Sequence, residues 1–300
     1  MATERFRHNL IAQINSNGSV FSAHHEKASL FYDAFQSRMG VSTFPGMNFE
    51  LSVLIPTNAD LESLVDPFFT IEMDDLDFYR LAAQFHAELA DLQCINSSYI
   101  TLVPKKANPE CVNDFRPISL MSICLKFLTK LMADRLQGVI KKVVHENQYG
   151  FIKGRTIQHC LAWSFEYIHQ FQQSKQEILI LKLDFEKAFD TIEHITILRI
   201  MEQMGFPTTW LNWVRMVFDS ASSSILLNGV PGNFFKCRRG VRQGDPLSPL
   251  LFVLGTELLQ AILDRAMNIG LLTKPIIDQG GGDFPIVQYA DDTLVFLKAS

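Results

Sequence analysis

The sequence predicts an α+β fold, in which helices pack on a small antiparallel sheet. Apolar residues recur at helical spacing in several stretches, and short β-rich runs lie between those stretches. Hydrophobic residues make up 47% of the 300-residue chain and charged residues 20%, which is typical of a globular protein and excludes wholesale disorder. A chain of this length can bury a substantial core without disulfides or metal staples.

Periodicity and composition place each element in turn. Helices are expected at residues 25–38, 125–143, 157–173, 195–204, 209–218 and 248–270. Strands are expected at residues 97–103, 177–183, 223–228, 233–237, 284–289 and 293–297. The run 177–183 is almost continuously apolar, which predicts a strand buried on both faces. Ser248 and Pro249 predict the N-cap and the first residue of the last helix.

Composition also excludes several classes of protein. The five cysteines are scattered and form no CxxC pair, which argues against a disulfide framework or a zinc site and favours a reducing compartment. The N-terminus carries charges where a signal peptide needs an apolar stretch, and no apolar run is long enough to span a membrane. The expectation is an intracellular protein with no membrane partner.

Charge is distributed unevenly along the chain. The net charge of −5 and the pI near 5.9 argue against a nucleic-acid partner. However, residues 100–160 carry ten Lys and Arg against four Asp and Glu, whereas residues 1–99 carry five against thirteen. The basic block indicates either polyanion binding or a solvated helical face, and charge alone leaves both open.

Three aspartates follow the ends of predicted strands. Asp184 comes directly after the strand at 177–183, and Asp291 and Asp292 lie between the last two β-rich runs. Each could be an ordinary cap or turn residue. Together, two acidic clusters at strand ends can converge on one sheet, where their mutual repulsion calls for a divalent cation. Two Mg²⁺ ions about 4 Å apart, held by carboxylates, serve in-line displacement at phosphorus.

Glycine and basic residues supply a second set of candidates. In the segment RRGVRQGDPLSP, Gly240 and Gly244 would let the backbone approach a ligand, and the arginines could bind phosphate. A structural loop before a helix would use the same residues, and this alternative stays open. Further cations beside turns suit triphosphate or nucleic-acid backbone binding; they are Lys105, Lys106, Arg116, Lys153 and Arg155.

Six ordered motifs carry a resemblance to a known family: ITLVPKK, NDFRPISL, QYGFIKGRT, LKLDFEKAFD, RRGVRQGDPLSPLLF and YADD. In this order and approximate spacing they resemble reverse transcriptases, most of all those of non-LTR (LINE-type) retrotransposons of plants. The resemblance implies an RNA-directed DNA polymerase domain at residues 76–300 with a right-hand fold, preceded by a connector at 1–75. The fingers would span about 97–176 and an incomplete palm 177–300.

The same resemblance assigns catalytic roles. Asp184 and Asp291 would bind two Mg²⁺ ions, or Mn²⁺ in their place, with Asp292 completing the acidic cluster and the Phe185 carbonyl as a further ligand. The metals would lower the pKa of a primer 3′-hydroxyl and stabilise charge on the transferred phosphoryl group. Phe189 matches the steric gate that excludes a ribose 2′-hydroxyl, and core packing is its alternative role.

Further residues match the family's nucleotide and nucleic-acid sites. Lys105 and Arg116 match the residues that clamp the incoming triphosphate, and Gln243 and Gly244 match the loop that lines the nascent base pair. The basic residues expected at nucleic acid are Lys106, Lys153, Arg155, Arg239 and Arg242. Template RNA, a DNA primer and dNTPs are the expected partners, and the family implies a nuclear site of action.

The sequence departs from the family in two respects. The family's Pro/Gly-rich element of PGPDG type is missing before Asp77, which puts template binding in doubt, and the thumb is expected to be absent from these 300 residues. Three functions remain open. They are a polymerase, active alone or with parts supplied by a longer product; an inactive remnant with at most RNA-binding capacity; and a group II intron maturase, which shares the catalytic motifs.

Overall fold

The computed structural model describes residues 10–57, 60–68, 76–175, 177–275 and 283–299. Its strands there are β1 (Ile14–Ser16), β2 (Ser19–Phe21), β3 (Ser97–Pro104), β4 (Phe115–Leu120), β5 (Ile178–Leu183), β6 (Ser222–Leu227), β7 (Val230–Lys236), β8 (Ile286–Tyr289) and β9 (Asp292–Lys298). Its helices there are α1 (His24–Met39), α2 (Leu76–His86), α3 (Ile123–Val139), α4 (Ile157–Ser174), α5 (Ala188–Thr191), α6 (His194–Gln203), α7 (Thr208–Asp219) and α8 (Ser248–Asn268). Every predicted helix and strand is present, which confirms the α+β class. No helix in these ranges has the length and apolarity needed to cross a membrane.

A four-stranded mixed sheet, in the order β4-β3-β6-β7, leads into the loop that carries Lys105. Strands β3 and β4 pair antiparallel, with Val103 opposite Arg116, whereas β3 and β6 run parallel. Helix α1 lies against this sheet because Phe31 and Phe35, four residues apart on one helical face, are buried in the same core as its strands. The N-terminal helix is thereby fixed beside the strands that carry the cations.

The second sheet has three antiparallel strands, in the order β5-β9-β8, and carries the predicted acidic residues. Leu183 at the end of β5 lies opposite Thr293 of β9, next to the turn that joins β8 to β9. Helix α4 packs on one face through Trp163 and Tyr167, whose rings contact Phe296 of β9. Helix α8 packs on the other face. The residue after β5 and the β8–β9 turn therefore meet at one end of the sheet.

Burial of the strand at 177–183 was predicted wrongly. The strand forms as β5, but Leu179 is 55% exposed and Leu181 is 42% exposed. The cause is position, because β5 is an edge strand that pairs only with β9 among the described strands, and the aromatic residues of α4 cover β9 instead. An apolar run shows that a strand tolerates burial, but it does not specify which segment covers it.

The largest core joins helices α3, α6, α7 and α8. Trp210 and Trp213 of α7 are fully buried in it. The irregular stretch before α2 also reaches this core, since the Phe68 ring stacks on Trp213 at a centroid distance of 5.6 Å, and the Arg135 guanidinium lies 4.1 Å from the Phe68 ring. This early stretch is therefore packed on the same core as helices α3 and α7.

Helix α8 begins where predicted but with a different cap. Leu247 occupies the N-cap position, so the prediction that Ser248 is the N-cap was wrong. The Ser248 hydroxyl donates to Asp245 Oδ2 (2.9 Å), and Asp245 Oδ1 accepts the Leu247 N–H (3.3 Å). Asp245 thus holds the helix start from two residues before it, and burial raises the pKa of its carboxyl. Pro249 lies in the first turn, as predicted.

Candidate active site

A cleft of about 770 Å³ lies where the loop after β3, the segment after β5, the loop before α8 and the β8–β9 turn come together. The cleft collects predicted site residues that are up to 186 positions apart in the chain. Those that line it are Lys105, Arg116, Asp184, Phe185, Phe189, Arg242, Gln243, Gly244 and Asp291. Asp292, Lys106, Lys153, Arg155 and Arg239 do not line it.

Two carboxylates stand at one end of the cleft. Asp184 follows β5 directly, and Asp291 lies in the tight β8–β9 turn, in which Tyr289 pairs with Asp292. Within the described ranges, neither Asp184 nor Asp291 has a hydrogen-bond or ion-pair partner. Two unpaired carboxylates on one cleft wall repel each other, which is the electrostatic condition for binding a divalent cation.

The donors at this end of the cleft fit a hard cation. Carboxylate and backbone carbonyl oxygens are the ligands that Mg²⁺ prefers in proteins. The Phe185 carbonyl accepts the Ala188 N–H (3.3 Å) and keeps a second lone pair. Asp292 instead forms an ion pair with Lys182 (3.1 Å), and no group of three or more His, Cys, Asp or Glu in the described ranges could hold a metal. The donor set at this end is therefore two carboxylates and a carbonyl, and a part for Asp292 stays a prediction.

Cations line the same cleft. Lys105 follows β3, and Arg116 projects from β4 beside it. Lys106 turns away into an ion pair with Asp114 (3.0 Å). The N–H groups of Cys111 and Glu110 hold the pKa of the Asp114 carboxyl well below its usual range, so Asp114 stays ionised and pins this loop.

Arg38 is a further cation that lines the cleft, and it was not predicted as a site residue. It comes from helix α1, where its guanidinium lies 5.0 Å from the Phe35 ring and donates to the Asn113 side chain. Burial lowers its pKa, while the charge of Asp190 opposes that shift. Nothing in the sequence around Arg38 indicates a binding role, because no motif surrounds it. Only the fold brings α1 to the cleft.

Aromatic rings also line the cleft. The Phe189 ring stacks on Phe252, with centroids 4.4 Å apart and planes 14° apart. Phe151 meets Phe189 edge-on at 6.0 Å and is 45% exposed. Phe189 therefore both packs and faces the cleft, so its two predicted roles are compatible with each other. Phe151 lies in the QYGFIKGRT motif, but it was not singled out.

The loop before α8 approaches the cleft through Gln243. The Gln243 side-chain amide donates to Asp190 Oδ1 (3.3 Å), and the Gln243 backbone carbonyl accepts the Ser119 N–H (2.9 Å). Gly244 has φ +110°, and a Cβ there would lie 3.2 Å from the Ser119 carbonyl oxygen. Asp190 is 3% exposed, and burial raises its pKa. Its position as the second aspartate of LKLDFEKAFD is a signal that could have identified it.

Three of the arginines that were predicted to bind nucleic acid form hydrogen bonds with other groups of the protein. Arg242 is 7% exposed, and Arg155 and Arg239 are partly buried. Arg242 donates to Asn96 and to the Ser222 carbonyl. Arg155 donates to the carbonyls of Val144, His145 and Gln148. Arg239 donates to Thr43 and to the carbonyls of Ser37 and Arg38. Lys153 is exposed outside the cleft. Nucleic-acid binding by these residues stays a prediction.

Comparisons with known proteins agree with this arrangement. A family model described as reverse transcriptase (RNA-dependent DNA polymerase) matches residues 103–300. The "Transposon TX1 uncharacterized 149 kDa protein" of Xenopus laevis is 28% identical over 81% of this chain and 18% of its own length. A "Retrovirus-related Pol polyprotein from type-1 retrotransposable element R2" of Popillia japonica is 30% identical over 65% of this chain and 26% of its own length.

A solved structure of apo telomerase from Candida Tropicalis, truncated from the C-terminal domain, matches 69% of this chain and 44% of that chain, with a TM-score of 0.47 and 11% identity. The chain spans at most about a quarter of the two sequence relatives. The family model, in contrast, covers more than half of this chain, and the motifs of that family line one cleft. The chain therefore belongs to the reverse transcriptase (RNA-dependent DNA polymerase) family and resembles proteins of non-LTR retrotransposons.

Proposed function

We propose that this cleft catalyses RNA-directed DNA synthesis, in which a nucleotide passes from a dNTP to a primer 3′-hydroxyl. The observation that supports it most is that two carboxylates without hydrogen-bond or ion-pair partners in the described ranges, Asp184 and Asp291, share one cleft with several cations. Phosphoryl transfer needs both, because metal ions must be held near the reacting oxygens while cations neutralise the phosphate charge.

In this proposal Asp184, Asp291 and the Phe185 carbonyl hold two Mg²⁺ ions, or Mn²⁺ in their place. Such ions, when bound, lower the pKa of a hydroxyl nucleophile and neutralise charge on the leaving oxygen. Lys105 and Arg116 bind phosphate oxygens of the triphosphate through charge-assisted hydrogen bonds. Each side chain is fixed by an element that ends at the cleft, so the reactants are oriented rather than merely attracted.

Template RNA and a DNA primer are the proposed nucleic-acid partners, and a nuclear site of action goes with this function by resemblance to the family. The aromatic and basic residues around the cleft suit a strand that stacks on rings and is followed by cations. Because the relatives are several times longer, the proposal concerns the chemistry of this cleft. Polymerase parts outside these residues could be supplied by a longer product.

Primer extension on an RNA template tests the proposal. Purified chain is incubated with a DNA primer, dNTPs and Mg²⁺, in parallel with Asp184→Asn and with EDTA, and circular dichroism verifies that each protein is folded. Extension by the wild type with Mg²⁺ alone is expected. Absence of extension from folded wild-type chain would contradict the proposal and favour an inactive remnant, whose RNA binding could then be measured.

Sugar selection provides a separate prediction for Phe189. Phe189→Ala opens the space beside the cleft that its ring fills, so ribonucleotides should be incorporated. We expect the ratio of kcat/KM for dNTP to that for rNTP to fall at least about tenfold, since steric discrimination in a pocket is worth about 1–3 kcal/mol. The ratio is insensitive to a loss of folded protein, which matters because Phe189 stacks on Phe252. An unchanged ratio would reduce Phe189 to a packing residue.

Arg38 lines the same cleft, and we propose that it also binds the triphosphate, which provides another testable prediction. Arg38→Gln should raise the KM for dNTP about tenfold or more with a smaller change in kcat, because a hydrogen bond to a charged group is worth about 1.5–3 kcal/mol. Arg80→Gln is the matched control, since Arg80 is exposed on α2 and pairs with Asp77 outside the cleft. If the two variants have the same KM, or if Arg38→Gln weakens primer–template binding only, triphosphate binding by Arg38 is refuted.

A further inference from the structure

The side chain of Gln148 makes four hydrogen bonds around the turn that carries Asp291. Gln148 lies between α3 and α4 and is fully buried. Its Oε1 accepts the N–H groups of Ala290 and Gly150, both at 2.9 Å. Its Nε2 donates to Thr256 Oγ1 (3.3 Å) and to the Ala290 carbonyl (3.4 Å). One amide thus contacts the backbone on both sides of the residue before Asp291.

Ala290 needs such support because of its backbone conformation. It has φ +59°, in the left-handed region that residues with a Cβ disfavour. Tight turns between antiparallel strands usually place glycine or asparagine at such positions. A strained residue persists where its surroundings over-determine it, and such residues cluster at functional sites. The Gln148 amide is the side chain that fixes both polar groups of Ala290.

The backbone around Gln148 reinforces the same contact. The Gln288 N–H donates to the Asn147 carbonyl (2.9 Å), and the Tyr149 N–H donates to the Gln288 carbonyl (2.8 Å). Gly150 lies directly against Ala290, where a Cβ would be 2.3 Å from the Ala290 nitrogen. The loop at 147–150 therefore runs along β8 and ends on the turn, in contact with it at both backbone and side chain.

We infer that Gln148 is a positioning residue, which sets the backbone at Ala290 and thereby aims the Asp291 carboxylate at the cleft opposite Asp184. The inference rests on the proposed function, since Asp291 matters here as a metal-binding carboxylate. An amide side chain offers this acceptor and this donor together. Leucine would leave the N–H groups of Ala290 and Gly150 without their acceptor, whereas glutamic acid, which burial keeps protonated, would keep an acceptor and one donor.

The test compares Gln148→Leu and Gln148→Glu in the full chain, with Mn²⁺ as the probe. Binding is measured from the electron paramagnetic resonance signal of free Mn²⁺, beside primer extension and thermal melting. We expect Gln148→Leu to weaken Mn²⁺ binding about tenfold or more and Gln148→Glu to weaken it less. Gln170→Leu is the matched control, because Gln170 is exposed on α4, where its side-chain amide donates a hydrogen bond to Glu166.

Which of the two variants binds Mn²⁺ more weakly decides whether Gln148 positions the turn or only fills space. Leucine is close to glutamine in volume, so a residue that only fills space would tolerate Gln148→Leu at least as well as Gln148→Glu, and that order would overturn the inference. Adding Ala290→Gly to Gln148→Leu should restore part of the Mn²⁺ affinity, because glycine adopts positive φ without strain. No gain from Ala290→Gly would likewise count against positioning.

Failure of the inference and failure of the proposed function give different results. If the wild type does not bind Mn²⁺ in this assay, or binds it equally after Asp291→Asn, the proposed metal site is wrong and the inference falls with it. If Asp291→Asn abolishes binding while Gln148→Leu binds as the wild type does, the site stands and Gln148 is not its positioning residue.

Discussion

Asp291→Asn should abolish Mg²⁺-dependent DNA synthesis, with a loss in kcat of about a thousandfold or more. Such a loss corresponds to roughly 4 kcal/mol, which is within the several kcal/mol that a bound metal contributes to charge stabilisation in a transition state. The substitution keeps the shape of the side chain and removes only its charge. Single-turnover primer extension at saturating dNTP measures the effect.

The fold should survive that change. Asp291 is only half-buried and has no ion-pair partner in the described ranges, so its removal leaves no buried charge unpaired. We expect the free energy of unfolding to change by no more than about 0.5 kcal/mol, as for surface substitutions generally. Asp134→Asn is the matched control, because that exposed aspartate pairs with Lys130 on α3 and should keep full activity. Equal activity in Asp291→Asn and wild type would refute the proposed site.

The acidic end of the cleft could be predicted from sequence because its signal is local. Asp184 follows an apolar strand, and Asp291 lies between two β-rich runs, so the strand ends alone indicate where both carboxylates point. Pairing of β5 with β9 then brings them together. The same locality explains why the helices and strands were predicted well, since each depends on the period and composition of a few neighbouring residues.

The contacts of individual arginines could not be predicted in this way. Arg155, Arg239 and Arg242 have the residue type and the glycine-rich context of phosphate-binding residues, yet their guanidinium groups donate to protein groups. An arginine can donate to backbone carbonyls as well as to phosphate, and the fold decides which acceptors lie near it. Arg38 is the converse case, a cation from a region without a motif that the packing of α1 delivers to the cleft.

The role of Gln148 could not be predicted from the sequence for a similar reason. Its partner Ala290 is 142 positions away, and neither a glutamine in a loop nor an alanine in a turn predicts a contact. The unusual φ of Ala290 is visible only in the structure, because alanine gives no sign of a left-handed conformation. Gly150 is the one residue of this contact whose type hints at a close approach of two backbones.

Gly150→Ala should therefore be the most damaging single methyl group in this region. The added Cβ would lie 2.3 Å from the nitrogen, 2.8 Å from the Cα and 2.9 Å from the Cβ of Ala290. These are mainly backbone atoms held by Gln148, so they cannot move aside as a flexible side chain would. We expect about a hundredfold loss of kcat, the effect of misplacing a catalytic group by about 1 Å, and about 3 kcal/mol of destabilisation from overpacking. Primer extension and denaturant unfolding measure the two effects.

Gly138→Ala is the matched control for this methyl group. Gly138 is exposed near the end of α3, and a Cβ there would meet no heavy atom within 4 Å. Alanine is favoured over glycine inside a helix, so this variant should gain about 0.5–1 kcal/mol of stability and keep full activity. Wild-type activity and stability in Gly150→Ala would mean that the loop at 147–150 can yield without disturbing Asp291. Opposite effects of the same substitution at the two sites are expected, because one methyl group meets the backbone of the catalytic turn and the other meets solvent.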